Sequence, residues 1–172
     1  MKKQKTSAKT VALMAMMIAL ALVFSYVETL IPINFGIPGV KLGLANLVIV
    51  AVIYLFGGKE ALLVSVVRIF LSGFMFGNLA SIMYSLAGGL LSLAVMLLLK
   101  KTDKLSILAV SVMGGICHNI GQLIVAMLVV ENLKLIFYVP VLLISGFVTG
   151  LLIGVVSRVI LPAVKRALES GR

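Results

Sequence analysis

The sequence is poor in charged residues, and poorest in acidic ones. Charged residues make up 12% of the 172 positions, and 5 acidic residues stand against 15 lysines and arginines. There is no tryptophan, and the single cysteine is Cys117. One cysteine excludes a disulfide framework and a cysteine metal cluster. A soluble domain needs more polar surface than this composition can supply.

The sequence instead contains long runs of apolar residues. Hydrophobic residues account for 62% of the chain, and the mean hydropathy is +1.27. Apolar runs of about 20 residues are long enough to cross a bilayer as helices. The pattern therefore predicts an all-α, polytopic membrane protein with one transmembrane domain over residues 1–172. Its six helices are expected at about 9–30, 42–56, 61–74, 79–99, 105–130 and 135–161.

Two of these segments leave an alternative open. Segments 42–56 and 61–74 are short, and residues 57–60 are expected to join them in a tight turn. They are either short spans or a hairpin that enters and leaves on one side.

The first segment, with Lys2, Lys3, Lys5 and Lys9 before it, also has features of a signal peptide. Further spans follow at once, however, which favours a retained helix.

The basic residues predict the orientation. If all six segments span, 12 lysines and arginines fall on the side of the termini and 2, Lys41 and Lys134, on the other. The excess marks the cytoplasmic side, so both termini are predicted to be cytoplasmic. We expect a multi-pass protein of the bacterial cytoplasmic membrane. Because the net charge of +10 is concentrated at the edges of apolar runs, it does not indicate nucleic-acid binding.

Polar residues inside the apolar segments predict a ligand site. With this orientation they fall at one depth, in the outer half of the membrane, facing a pocket beneath the first outer loop. An ionisable group at that depth is costly unless it is paired, hydrated or bound to a ligand. The candidate ligand-binding residues are Glu28, Lys41, Asn46, Arg68, Asn78, Tyr84, His118, Asn119 and Gln122.

Two of these positions have a structural alternative. Arg68 either forms, with Lys41, an anion site, because its guanidinium suits carboxylate or phosphate, or makes an ion pair with Glu28. His118 and Asn119 either line the pocket or form an interhelical hydrogen-bonded pair. Gln122 lies four residues after His118 and therefore on the same helix face. No cofactor is expected, and the spacing of His, Cys and carboxylates contains no metal signature.

Small residues form stripes on the first and last helices. Gly146, Gly150 and Gly154 are expected to allow close packing within the bundle. The stripe on the first helix is expected either to pack or to face a partner subunit. Its candidate interface residues are Ala12, Ala15 and Ala19.

Four motifs together resemble a known family. Residues 38–46 (PGVKLGLAN), Arg68, residues 84–89 (YSLAGG) and residues 118–122 (HNIGQ) are similar to the Gx transporter family. That family is also labelled heptaprenyl diphosphate synthase component I, in its membrane form. More distantly, the layout resembles the S components of energy-coupling factor (ECF) transporters. There an alanine-x-x-x-alanine patch, matched by Ala15 and Ala19, meets the coupling subunit.

The resemblance implies two kinds of function. The first is a substrate-binding transport subunit that captures a small anionic solute and works with a coupling membrane subunit and cytoplasmic ATPases. The second is a non-catalytic membrane subunit that binds flavin, quinone or prenyl lipid, in a synthase-associated complex or in a redox complex with an extracytoplasmic partner. Independent prenyl diphosphate synthesis is not expected, because one aspartate, Asp103, cannot form a carboxylate cluster for magnesium.

Overall fold

The computed structural model describes residues 8–31 and 43–170, which form an all-helical bundle. Within those ranges there are six α-helices, one 3-10 helix and no strand. The all-α, six-helix prediction is therefore confirmed. The helices are α1 (Ala8–Leu30), α2 (Asn46–Leu55), α3 (Gly58–Phe76), α4 (Leu79–Lys101), α5 (Ile107–Val129), the 3-10 helix η1 (Leu133–Tyr138) and α6 (Val139–Ser170).

Four segments are long and apolar enough to cross a membrane. They are α1, α4, α5 and the continuous stretch Leu133–Ser170, with mean hydropathies between 1.7 and 2.4. Their outward-facing residues are largely apolar, as expected where the surrounding solvent is lipid rather than water. The chain is a membrane protein.

The second and third helices differ from their predicted bounds. α2 has 10 residues and so measures about 15 Å, half of a bilayer core. α3 has 19 residues because it begins three residues earlier and ends two residues later than predicted. In this turn Gly57 has a positive φ of +118°, and Gly58 already begins α3. Glu60 then lies in the first turn, where a carboxylate interacts favourably with the helix dipole.

The last helix also runs beyond its predicted end. α6 continues to Ser170 instead of stopping near 161, with Pro162 inside it. Leu161 is the last buried residue, and the turns after it are largely exposed. The hydropathy pattern marks where the buried and apolar part of the helix ends, and the helix itself extends further.

The short helix α2 lies at the centre of the bundle. It packs against each of the other five α-helices, and none of its residues is exposed. Its carboxyl end is held by Lys100, whose Nζ donates to the Ile53 carbonyl at 2.6 Å and lies 4.7 Å from the Tyr54 ring centroid. A cation at this end complements the helix dipole.

Helix directions place both described ends of the chain at one end of the bundle. α3 begins beside the end of α4, where a Cβ on Gly58 would lie 3.0 Å from Leu97. The Tyr26 and Phe76 rings, near the carboxyl ends of α1 and α3, lie 5.1 Å apart, so α1 runs in the same direction as α3. α6 runs antiparallel to α5 and returns to the same end. This end, which carries Lys59, Lys100 and Lys104, is called the lysine end below.

The predicted glycine stripe of α6 packs directly on α5. A Cβ on Gly146 would lie 2.8 Å from the Gly115 carbonyl oxygen, and one on Gly150 would lie 2.7 Å from the Val112 Cα. Ser111 also donates to the Gly150 carbonyl at 2.8 Å. The packing role predicted for this stripe is confirmed, because backbones this close leave no room for side chains.

Candidate functional site

Buried polar side chains from four helices, α1, α2, α3 and α5, meet near the middle of the bundle. Arg68 of α3 is 2% exposed, and its Nη1 donates to Ser25 Oγ of α1 at 3.4 Å. Within residues 8–31 and 43–170, Nε and Nη2 of Arg68 have no hydrogen-bond partner. Glu28 attracts the guanidinium electrostatically. An arginine with unsatisfied donors at this depth is an unusual feature of a folded protein.

Glu28 fixes the entry of the chain into α2. Its carboxylate accepts a hydrogen bond from the Gly43 N–H, just before that helix. Gly43 has φ +85°, and a Cβ there would lie 3.0 Å from His118 Cδ2 and 3.2 Å from Asn46 Nδ2. A glycine is required both by the backbone conformation and by this close approach. Glu28, Asn46 and His118 are thereby brought around one backbone position.

The glycine pair of α4 lies between His118 and Arg68. A Cβ on Gly88 would lie 2.6 Å from the His118 carbonyl oxygen and 2.8 Å from Gln122 Cγ. A Cβ on Gly89 would instead lie 3.5 Å from Ser65 Oγ and 4.0 Å from Arg68 Nη2. The absence of side chains at both positions lets the α3 and α5 polar groups approach α4 from two sides. We call Ser25, Glu28, Asn46, Ser65, Arg68, His118 and Gln122 the central polar cluster.

His118 and Gln122 interact within α5. Gln122 Nε2 and His118 Nε2 lie 2.5 Å apart, and both side chains are fully buried. The predicted sharing of one helix face is therefore confirmed. Asn119 points to a different neighbour: its Nδ2 donates to the Leu142 carbonyl of α6 at 2.8 Å. That bond is the interhelical link proposed as the structural alternative for this residue.

Besides Asn119, three predicted site residues lie apart from the cluster or outside the described chain. Asn78 is exposed and forms a capping box with Ser81 at the start of α4. Tyr84 is buried in an apolar group with Leu123, Ala126 and Leu142. Lys41 lies outside the described residues. A ligand contact at these three positions remains a prediction.

Two members of the cluster lie near the middle of their helices, and the outer-half membrane depth expected for the site residues stays a prediction. His118 is the twelfth of the 23 residues of α5, and Arg68 lies ten residues into α3. Both are therefore about 15–17 Å from the lysine end along helices that rise 1.5 Å per residue. The predicted start of α5 near 105 is two residues early, because the Ser106 side chain accepts from the Ala109 N–H and the helix starts at Ile107.

Two hydroxyls of the cluster were missed by sequence reasoning. Ser25 precedes Glu28 by three residues and Ser65 precedes Arg68 by three, so each shares a helix face with a charged group. That spacing was a readable signal. Serine is also common in membrane helices as a packing residue, so the spacing alone did not identify these two serines as neighbours of the charged groups.

The alanine stripe of α1 faces away from the bundle. Ala8, Ala12, Ala15 and Ala19 are all exposed, while Met14, Met17 and Ala21 on the opposite side are buried. The stripe is therefore available to lipid or to another protein rather than being used for internal packing. A role in partner binding remains a prediction.

The donor set of the cluster suits an anion better than a metal ion. Among the described residues, no three His, Cys, Asp or Glu side chains are placed to hold a metal. The cluster combines a guanidinium, an imidazole, two amides and hydroxyls with one carboxylate. Such groups can donate several hydrogen bonds to a carboxylate or phosphate.

Comparison with known proteins identifies the family. Searches of curated proteins and of solved structures return no match to the chain. A family model described as heptaprenyl diphosphate synthase component I matches residues 17–160, which include every described member of the central polar cluster. The match covers most of the sequence and agrees with the resemblance predicted from the motifs. The chain therefore belongs to the heptaprenyl diphosphate synthase component I family.

Proposed function

We propose that the protein is a non-catalytic, substrate-binding membrane subunit that captures a small anionic solute in the central polar cluster. The observation that carries this proposal is Arg68, which is 2% exposed and has two N–H groups with no acceptor in the described part of the chain. Leaving such donors unsatisfied in the interior costs about 1–3 kcal/mol, and more for a charged group. A bound carboxylate or phosphate would satisfy them in the planar geometry that guanidinium favours.

The charge around Arg68 supports an anion of low total charge. Glu28 attracts the guanidinium, but its carboxylate also accepts from the neutral Gly43 N–H, so it is shared between the cation and a backbone donor. The amino end of α2 adds a partial positive charge near Gly43. A ligand with one carboxylate or phosphate and a polar body would accept hydrogen bonds from these donors, and it would add little repulsion with the Glu28 carboxylate.

The proposed orientation places the solute entrance on the outside. The excess of lysine and arginine at the lysine end favours a cytoplasmic location for that end, in the bacterial cytoplasmic membrane. The carboxyl end of α1 and the amino end of α2, where Gly43 lies beside Glu28, are then on the outer side. The solute is captured from outside and is held at mid-depth.

The experiment for this function is native mass spectrometry of the intact protein, gently extracted from its own membrane. We expect a retained small anion, released when the protein is denatured. Its mass identifies the solute. A ligand-free protein that carries a stable extracytoplasmic or enzyme partner would contradict the transport role.

We propose that a coupling membrane subunit binds to the exposed alanine stripe of α1. Replacing Ala15 and Ala19 together with leucine should block copurification of a coupling membrane subunit and ATPases, because the added side chains prevent close helix approach. Solute binding should be unchanged, since both positions face away from the bundle. The matched control replaces exposed Val11 and Val23 of the same helix with leucine. Unchanged partner recovery in the alanine double variant would eliminate the stripe as the coupling surface.

A second candidate function is favoured by the family description itself. A component I of a heptaprenyl diphosphate synthase implies a complex with another subunit. In that setting the cluster would bind the diphosphate of a prenyl lipid, or a flavin or quinone in a redox complex. Copurification separates the candidates: a coupling subunit with ATPases supports transport, while an enzyme or extracytoplasmic redox partner supports the complex subunit.

A further inference from the structure

The 3-10 helix η1, between α5 and α6, exposes an apolar face. None of its residues is buried, and Leu133 and Phe137 are 78% and 80% exposed. Ile136 is exposed on the same segment. Side chains of this kind are unusual on a loop that is surrounded by water, because their exposure is unfavourable.

The orientation of η1 is fixed by contacts on its other face. Leu135 of η1 and Val139, the first residue of α6, pack against the apolar group formed by Tyr84, Leu123, Ala126 and Leu142. At its start, the Asn132 side chain accepts from the Lys134 N–H at 3.0 Å, and the Asn132 N–H donates to the Met127 carbonyl at 3.2 Å. Because these contacts hold η1 in place, the outward direction of Leu133, Ile136 and Phe137 is built into the fold.

The apolar face of η1 continues the lipid-facing surface of the two helices that it joins. Leu128 in the last turns of α5 and Ile144 in the first turns of α6 are 70% and 66% exposed. Both helices belong to the segments long and apolar enough to span a membrane. Exposed Glu131, Asn132 and Lys134 bring polar groups to the same short stretch. This combination of apolar, aromatic and charged side chains is typical of the boundary between acyl chains and water.

We propose that η1 is an interfacial membrane anchor, with Leu133, Ile136 and Phe137 in the upper acyl region of the leaflet and Lys134 among the headgroups. A continuous apolar surface with the flanking spans favours lipid as the occupant over a protein partner. Because Leu135 contacts the group around Tyr84, the anchor also fixes the height of the α5–α6 connection relative to α4.

A tryptophan substitution tests this proposal directly, because the chain contains no tryptophan of its own. Phe137→Trp places a sole fluorophore on η1 of the full-length protein, purified alone and reconstituted in phosphatidylcholine–phosphatidylglycerol vesicles. We expect blue-shifted emission and weak quenching by aqueous iodide. Quenching should be strongest with lipids brominated close to the glycerol backbone.

Two control variants define the limits of the measurement. Lys104→Trp, in the exposed connection between α4 and α5, reports the aqueous position, and Phe147→Trp, exposed and further along α6, reports the deep acyl position. Iodide quenching of Phe137→Trp as strong as that of Lys104→Trp would overturn the anchor. Maximal quenching by deeply brominated lipid would place η1 in the hydrocarbon core, which also contradicts it. Shielding from both iodide and brominated lipid would show that protein, such as a second copy, covers this face.

Discussion

Arg68→Ala should weaken binding of the retained anion by at least about 30-fold while the protein still folds. The guanidinium supplies the only cation within the described part of the central polar cluster that stays charged at every physiological pH. Truncating one partner of a buried, hydrogen-bonded charge pair costs about 2–5 kcal/mol, or roughly 30- to 5,000-fold in affinity. Isothermal titration with the solute identified by mass spectrometry would measure this loss, and size-exclusion chromatography would report folding.

Two further variants separate a ligand role from a structural one. Arg158→Ala makes the same chemical change at an exposed position of α6 and should leave affinity unchanged. Arg68→Lys keeps the charge but loses the planar fork, so it should recover part of the affinity for an anion bound in a bidentate manner. If Arg68→Ala fails to fold while the double variant Arg68→Met/Glu28→Gln folds, the Arg68–Glu28 interaction is chiefly structural and the anion site is wrong.

Gly115→Ala should destabilise the bundle more than any other single-methyl change at the α5–α6 interface. A Cβ at Gly115 would lie 2.3 Å from the Gly146 carbonyl oxygen and 3.2 Å from the Gly150 Cα, and both are backbone atoms. The clash cannot be relieved by a rotamer change, so the helices must separate. Over-packing costs about 1–3 kcal/mol, and we expect the upper end even after about 1 kcal/mol of gained helix propensity.

The matched control for this prediction is Gly58→Ala. There the new Cβ would meet only the Leu97 side chain, at 3.0 Å, and the flexible end of that side chain can move. We expect a change in unfolding free energy within about 0.5 kcal/mol. Unfolding of both variants in mixed micelles by a denaturing detergent provides the comparison. Equal stability of Gly115→Ala and the original protein would contradict the close backbone contact.

Separation of α5 and α6 should also displace residues of the central polar cluster. Asn119 donates to the Leu142 carbonyl across this interface, and it is the sequence neighbour of His118. A shift of α5 would move His118 relative to Gly43 and Gly88, where an added Cβ would lie 3.0 Å from His118 Cδ2 and 2.6 Å from the His118 carbonyl oxygen. The glycine contacts therefore position part of the site as well as stabilise the fold.

The amino-acid sequence is enough to predict the class of the protein and most of its helices. Long apolar runs predict membrane helices because burial in lipid requires an uninterrupted apolar surface and satisfied backbone hydrogen bonds. The same reasoning marked Arg68, Glu28 and His118, since charged or polar groups in such runs are costly. The motifs around residues 38–46, 84–89 and 118–122 were specific enough to indicate the family that the family model matches.

Which contacts these residues make with one another is visible only in the tertiary structure. α2 is a half-length helix at the centre of the bundle because it packs against the other five α-helices. A hydropathy pattern carries no information about such contacts. Likewise, Gly43, Gly88 and Gly89 gain their importance from side chains that approach from other helices. Asn78 is polar and near a helix start in the sequence, and only the structure shows that its side chain caps α4. Local chemistry sets which groups are costly to bury, and long-range packing sets which partners they find.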